Sequence, residues 1–173
     1  TTHLIDRVAK KHGIEVFETP VGFKYIGELI SEDKLIIGGE ESAGLTIKGH
    51  VPEKDGILAC LLVAEMVAKE GKGLTEMLND LYAEVGTVLT RRVNIHLEGS
   101  GLKERLKTPP SSFAGLSVDK VVTIDGTKLI LSDGSWVLIR PSGTEPVVRF
   151  YAEAFSVNDL DKLTEAGKKL ILG

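Results

Sequence analysis

Two Asp-Gly dipeptides constrain the fold of the second half of this chain more than any other feature. Asp125-Gly126 and Asp133-Gly134 separate three short apolar-rich segments, which cover residues 120–124, 128–131 and 136–139. Asp-Gly between such segments is typical of tight turns that join antiparallel strands, because both residues tolerate a positive φ. The sequence therefore predicts a meander of neighbouring antiparallel strands.

The flanking segments extend this half into an α+β fold. Residues 88–97 and 147–154 have the composition of two further strands, and residues 101–106 that of a short helix. A closing helix is predicted at residues 158–172, with Asn158 as its N-cap and acidic residues in its first turn. Antiparallel strands combined with helices in this way are typical of the α+β class.

The first half has a different order of elements. Apolar spacing predicts a helix at 2–12, a strand at 14–17, a helix at 22–30, a strand at 34–38, a long loop at 39–52, and helices at 54–70 and 74–85. This alternation is typical of an α/β fold. The near-continuous apolar run of the strand at 34–38 favours a parallel sheet covered on both faces. Because the helix at 54–70 is apolar around most of its circumference, we expect it and its Cys60 to be buried.

The composition excludes several classes of protein. A formal charge of −4 with 42% apolar residues is ordinary for a soluble chain and argues against a nucleic-acid partner. The single cysteine excludes a disulfide framework and a cysteine-based metal site within one chain. No apolar run reaches the ~18 residues of a membrane span, and no signal-peptide pattern is found, so no membrane partner is expected and a reducing cytoplasm fits.

The start of the chain indicates a piece of a longer protein. The 173 residues begin at a predicted helix, with no initiator Met and no strand before it. The change in pattern near Gly86 predicts a boundary at residues 86–90. We therefore expect an α/β domain at residues 1–87 and an α+β domain at residues 88–173.

A loop between two predicted strands, residues 140–146, is a candidate phosphate site. Arg140 supplies a planar, permanently charged fork of donors, and the hydroxyls of Ser142 and Thr144 add more. Gly143 would let successive backbone N–H groups converge on an anion. The alternative is an ordinary hairpin turn beside a solvated arginine.

A second candidate loop follows the predicted strand at 34–38. Glu40, Glu41 and Ser42 lie there between glycines, at the carboxyl end of a strand, where α/β domains gather ligands. Carboxylates accept from hydroxyl groups, and a serine both donates and accepts, so this loop suits a sugar. The alternative is a solvated acidic turn. Lys54 follows at the start of the next helix, where it is either a phosphate-neutralising group or an ordinary charged helix start.

Taken in order, four segments of the chain resemble the α-D-phosphohexomutase family, which is the phosphoglucomutase/phosphomannomutase group. They are Thr-Pro-Val-Gly-Phe-Lys at 19–24, Gly-Glu-Glu-Ser at 39–42, Glu-Lys-Asp-Gly at 53–56 and Arg-Pro-Ser-Gly-Thr-Glu-Pro at 140–146. The resemblance implies the third domain of that family without its beginning, followed by the fourth domain with its TATA-binding-protein-like antiparallel sheet. The family's serine motif and its Asp-rich metal loop have no counterpart in these residues, so the resemblance implies a fragment that is inactive by itself.

The resemblance also implies a reaction and roles for individual residues. Such enzymes interconvert hexose 1-phosphates and hexose 6-phosphates through a bisphosphate, using a phosphoserine, Mg²⁺ and glucose 1,6-bisphosphate as intermediate or activator. Glu40 and Ser42 would hold sugar hydroxyls. The phosphate that is not reacting would be bound by a second group, formed by Arg140, Ser142, Gly143 and Thr144. Weaker assignments to the substrate site fall on Lys24, His50, Lys54 and Arg149.

Three alternatives remain open from the sequence. Position 43 is Ala where many family members have Gly, so the fit of the sugar loop depends on whether that position needs a positive φ. The hexose is glucose, mannose or glucosamine, and Glu-Glu-Ser resembles the glucose-preferring members. The chain is either the C-terminal half of a mutase or a non-catalytic module that binds sugar phosphates, and the sequence indicates no oligomeric state.

Overall fold

The computed structural model describes residues 1–97, 101–143 and 145–173. The chain divides into two compact units, Thr1–Gly86 and Thr87–Gly173. No helix in the described part of the chain is long and apolar enough to cross a membrane.

The first unit contains four helices and one two-stranded sheet. In chain order these are α1 (Leu4–His12), α2 (Phe23–Ser31), β1 (Ile37–Gly39), β2 (Leu45–Ile47), α3 (Gly56–Glu70) and α4 (Leu74–Val85). The helices lie where the apolar spacing predicts them. A small apolar cluster of Phe23, Ile26 and Ile30, with Leu35 against it, joins α2 to the segment that enters β1.

The strand predictions for the first unit need correction. Residues 14–17 form no strand, and Val16 and Phe17 are each 39% exposed, because no partner strand pairs with them in the described part of the chain. The predicted long loop contains β2, which pairs with β1 in an antiparallel hairpin, with Ile37 opposite Ile47. The parallel pairing expected for this strand is therefore not found among the described residues.

The expected burial of the apolar helix is also wrong for this chain. No residue of α3 or α4, both fully described, is buried. Ile57 is 76% exposed, Leu61 is 64% exposed, and the Cys60 side chain is exposed as well. β2 packs against α3, but the described residues leave most of the circumference of this helix uncovered.

In its described residues, the second unit is a six-stranded antiparallel sheet with two helices. Its elements are β3 (Leu89–His96), α5 (Gly101–Lys107), β4 (Ser112–Phe113), β5 (Leu116–Val122), β6 (Thr127–Leu131), β7 (Trp136–Pro141), β8 (Val147–Ala154) and α6 (Val157–Leu172). The strand order is β3-β8-β7-β6-β5-β4. Both Asp-Gly turns join antiparallel neighbours, as predicted. The N-cap of α6 is Ser156 rather than Asn158, since the Ser156 hydroxyl oxygen accepts from the Asp159 N–H at 3.1 Å.

The two faces of this sheet have different chemistry, because side chains alternate along each strand. One face carries the core, in which Phe150, Leu129 and Ile139 are fully buried together with Leu163 and Ile171 of α6. Arg140 directly follows Ile139, and Arg149 directly precedes Phe150. Both arginines therefore lie on the opposite face of the sheet. The helices thus pack the apolar face, and the opposite face carries a row of cations.

Candidate functional site

The candidate phosphate loop, residues 140–146, connects β7 to β8. At this end of the two strands, two arginines are cross-strand partners. Arg140 on β7 is directly opposite Arg149 on β8, and Asn94 on β3 is opposite Arg149 on its other side. Directly opposed residues of an antiparallel pair project from the same face, with Cβ atoms about 5 Å apart. The register therefore places both guanidinium groups on one face at the loop end of the sheet.

Each of these arginines has a carboxylate partner. Asp125 Oδ2 lies 3.0 Å from Arg140 Nε, with the two side chains 31% and 22% exposed. Glu145 Oε2 lies 3.9 Å from Arg149 Nη2, and the Glu145 side chain is 62% exposed. Two like charges directly opposite each other are destabilising, so the carboxylates offset part of the repulsion in this pair. The Asp125 contact is through Nε, and the guanidinium has four more N–H donors on its Nη atoms.

The loop itself is closed by hydrogen bonds around Ser142. The Ser142 N–H donates to the Val147 carbonyl at 2.8 Å, and the Ser142 hydroxyl oxygen accepts from the Glu145 N–H at 3.3 Å. Gly143 is exposed, and a Cβ there would meet nothing within 4 Å. Its φ is not in the left-handed region, and the space around it is open. Thr144 lies outside the described residues.

A buried polar cluster lies on the same face, two rows further from the loop than the arginine pair. The Trp136 Nε1–H donates to Glu153 Oε1 at 3.0 Å, and Lys128 Nζ lies 4.8 Å from the centre of the Trp136 ring. All three residues are buried. Buried polar networks are rigid when their hydrogen bonds are satisfied. This cluster therefore helps to fix β7 and β8, the strands that carry Arg140 and Arg149.

The sugar loop of the first unit forms the turn of the β1–β2 hairpin. The Glu40 N–H donates to the Gly44 carbonyl at 2.8 Å, and the Ala43 N–H donates to the Glu40 carbonyl at 3.1 Å. Ala43 has a φ of 66°, so the position does require a left-handed residue. Ser42 is exposed at this turn, as is Glu41. The family departure at residue 43 therefore falls on a strained position.

Within this unit the structure brings Glu40 and Lys54 together. Lys54 Nζ lies 3.8 Å from Glu40 Oε2, and the Glu40 side chain is 19% exposed while that of Lys54 is 56% exposed. A carboxylate held beside an ammonium group is able to accept from hydroxyls without carrying an uncompensated charge. Lys24 lies in the first turn of α2, and its Nζ lies 4.8 Å from the centre of the Tyr25 ring; the structure does not bring it into contact with Glu40 in the described residues.

His50 is attached to the start of α3 rather than to the hairpin turn. Its Nε2 lies 2.9 Å from Asp55 Oδ2, while Asp55 Oδ1 accepts from the Ile57 and Leu58 N–H groups at 2.9 and 3.1 Å as the N-cap. The hydrogen bond from the Leu58 N–H, followed by that from His50, lowers the pKa of Asp55 below its ordinary value. His50 thus helps to fix the segment that carries Lys54.

The sequence did not indicate two residues that organise these sites. Asp55 was visible only as part of a charged helix start, and Asp125 only as part of a hairpin turn. An Asp directly before an apolar helix is an N-cap signal that could have identified the first. The second could not be identified from its own segment, because its contact with Arg140 depends on the register of β6 against β7.

Both halves of the chain match domains of one protein family. Residues 1–85 match the family model for phosphoglucomutase/phosphomannomutase, alpha/beta/alpha domain III. Residues 62–167 match the model for the phosphoglucomutase/phosphomannomutase C-terminal domain. The chain belongs to the phosphoglucomutase/phosphomannomutase family. The resemblance inferred from the four segments is confirmed, and so is the fold class of an α/β domain followed by an α+β domain.

Relatives in this family are about three times longer than the chain. A phosphoglucomutase/phosphomannomutase of Thermococcus kodakarensis is 34% identical over 99% of the chain and 36% of its own length. A phosphoglucosamine/phosphogalactosamine mutase of Sulfurisphaera tokodaii is 31% identical over 100% of the chain and 37% of its own length. Among solved structures, a Thermus thermophilus protein assigned as a phosphomannomutase matches with a TM-score of 0.81 and 38% identity, over 100% of this chain and 35% of that one.

Proposed function

We propose that this chain binds a hexose phosphate, with the phosphate on the arginine face of the second unit. The observation that carries the proposal is the direct opposition of Arg140 and Arg149 at the loop end of β7 and β8. Two guanidinium groups on one face supply charge-assisted, paired donors of the kind that suit a phosphate dianion. The open space at Gly143 leaves room for the anion beside the loop.

The first unit would read the sugar. Glu40, held 3.8 Å from Lys54, would accept hydrogen bonds from ring hydroxyls, and the exposed Ser42 would donate and accept beside it. Lys54 compensates the Glu40 charge while the hydroxyls bind. His50 contributes through Asp55 and the start of α3, and Lys24 belongs to the same proposed site with less support.

As part of a mutase, the chain would interconvert hexose 1-phosphate and hexose 6-phosphate by way of a bisphosphate. The sugar would turn over between two half-reactions, and the arginine face would bind whichever phosphate is not reacting. This role is positioning and charge stabilisation rather than covalent chemistry. Relatives are named for glucose, mannose, glucosamine and galactosamine phosphates, so the proposal extends to hexose phosphates as a class.

The Mg²⁺ that the family resemblance implies does not fit the residues described here. No group of three or more His, Cys, Asp or Glu in the described part of the chain is arranged to hold a metal ion. No step is therefore assigned to a metal in this chain, and we expect the 173 residues by themselves to show no mutase turnover.

The proposal is tested by measuring the affinity of the chain for glucose 1-phosphate in the unaltered sequence and in Arg140→Ala. Loss of a charge-assisted hydrogen bond costs on the order of 2 kcal/mol, so we expect the dissociation constant to rise more than tenfold. Arg91→Ala is the control, since Arg91 lies on β3 but pairs with Asp161 of α6 at 2.6 Å on the core side. Equal affinities in the unaltered chain and Arg140→Ala would refute the phosphate assignment.

A further inference from the structure

The turn between β5 and β6 lies against the residue that carries the proposed phosphate clamp. Its Asp125 carboxylate contacts Arg140 Nε at 3.0 Å. Its Gly126 has a φ of +95°, and a Cβ built on it would lie 2.6 Å from the Ile139 carbonyl oxygen and 3.2 Å from Arg140 Cα. The turn therefore approaches the β7 backbone at Arg140 more closely than a residue with a side chain would allow.

The second Asp-Gly turn shows that this approach is not a general property of the dipeptide. Asp133 Oδ1 accepts instead from the Ser135 N–H at 2.9 Å and from the Ser135 hydroxyl at 2.5 Å. A Cβ on Gly134, with φ +85°, would meet only the Phe155 ring, at 3.7 Å. Asp133 thus contacts only a residue of its own turn in these bonds, whereas Asp125 contacts Arg140 on β7.

We propose that Asp125 is a positioning residue for phosphate binding, which orients the Arg140 guanidinium by accepting from its Nε–H. A guanidinium is planar, so fixing Nε on one side fixes the directions of the Nη donors on the other. Those donors are then available to the phosphate without the loss of side-chain rotamer entropy that a free arginine would suffer. This inference rests on the proposed function.

The charge of Asp125 should weaken phosphate binding, whereas its contact with Arg140 should strengthen it. A carboxylate near an anion site repels the anion, so a residue that acted by charge alone would weaken phosphate binding. The two effects separate in substitutions, because Asp125→Asn removes the charge but keeps an oxygen acceptor, whereas Asp125→Ala removes both.

The experiment measures the dissociation constant of glucose 1-phosphate for the 173-residue chain in Asp125→Ala, Asp125→Asn, Asp133→Ala and Arg140→Ala. If Asp125 orients Arg140, Asp125→Ala weakens binding about tenfold, while Asp125→Asn and Asp133→Ala stay within about twofold of the unaltered chain. Tighter binding in both Asp125 variants, or unchanged binding in Asp125→Ala, would overturn the inference. If Arg140→Ala also binds normally, the proposed function itself fails, so the two failures are distinguishable.

A measurement on the unaltered chain keeps the inference testable if Asp125→Ala does not fold. If Asp125 accepts from Arg140 Nε–H, this resonance should exchange slowly with water before any ligand is added, since the carboxylate lies 3.0 Å from Nε. Exchange at the rate of an exposed arginine would overturn the inference.

Discussion

Arg140 and Arg149 are direct cross-strand neighbours on adjacent antiparallel strands, with their side chains on the same face of the sheet. An opposed pair of like charges destabilises a sheet by roughly 0.2–1 kcal/mol. Asp125, beside Arg140, and Glu145, beside Arg149, offset part of this cost. At the proposed phosphate site, a bound dianion would offset the remaining repulsion.

Replacing Arg149 with Met should separate stability from binding. The substitution removes one of two opposed charges while keeping an unbranched chain, so the second unit should unfold at the same or a slightly higher denaturant concentration without ligand. Affinity for glucose 1-phosphate should fall about tenfold, because one charge-assisted contact is lost. Fluorescence of Trp136, the one tryptophan of the chain, reports unfolding of this unit.

Arg92→Met is the matched control for that change. Arg92 lies on β3 with its guanidinium carbon 5.6 Å from the centre of the Tyr151 ring, one row further from the loop on the same face. Its loss should leave affinity within about twofold. An Arg149→Met variant that binds no more weakly than Arg92→Met would exclude Arg149 from the site.

Replacing Ala43 with Gly should stabilise the hairpin turn of the first unit. The φ of 66° at Ala43 costs about 1 kcal/mol for a residue with a Cβ, and Gly would relieve this cost. The greater freedom of Gly in the unfolded chain would in turn lower stability by about 0.5 kcal/mol. The net expected gain is about 0.5 kcal/mol in the free energy of unfolding, measured by hydrogen exchange of the Glu40 amide and the amide of residue 43, which are the donors of the turn. Ala64→Gly, in the middle of α3, is the control and should destabilise by about 1 kcal/mol; loss of stability in both variants would contradict the strain at residue 43.

Replacement by Ala should affect stability at one glycine of the second unit and ligand binding at another. A methyl group on Gly167 of α6 would overlap the Phe150 ring, so Gly167→Ala should lower the free energy of unfolding by roughly 1–3 kcal/mol, as overpacking does. Gly143→Ala meets no protein atom within 4 Å and should change stability by less than about 0.5 kcal/mol, yet weaken phosphate binding by occupying the open space. Denaturant unfolding followed by ligand titration of both variants checks this pair, and a destabilised Gly143→Ala would show that the loop is packed.

The pKa of Asp55 predicts how the first unit responds to acid. Hydrogen bonds from the Leu58 N–H and from His50 lower this pKa below its ordinary value of 3.8. A carboxyl with a lowered pKa in the folded state adds stability that is present above its ordinary pKa and is lost as the pH falls through the folded-state pKa. Stability measured from about pH 5 downward should therefore fall less steeply in Asp55→Asn than in the unaltered chain; identical slopes would contradict the lowered pKa.

The sequence predicted the features that depend on local chemistry. The Asp-Gly turns specify their hairpins because the turn residues and the alternating strands are adjacent in the chain. Helix positions followed from apolar spacing, although the N-cap of α6 was placed two residues late, at Asn158, because several residue types there can cap a helix.

Features that depend on distant contacts could not be predicted. The burial of α3 depends on what covers it, and its apolar sequence only indicates that it can be covered. The face occupied by Arg149 depends on strand register, because a shift of one residue reverses it. The contact between Asp125 and Arg140 depends on the register of β6 against β7, which the composition of the turn between them does not fix.

The most direct test of the phosphate clamp is a titration of the 173-residue chain with glucose 1-phosphate, followed by NMR of backbone amides and arginine side chains. We expect saturable shifts at Gly143 and at the Nε–H groups of Arg140 and Arg149, with weaker shifts at Gly39 to Gly44 that follow the sugar. The Arg91 side chain should not shift, since it lies on the core side with Asp161. Saturable shifts that leave Gly143, Arg140 and Arg149 unchanged, or none at all, would contradict the account.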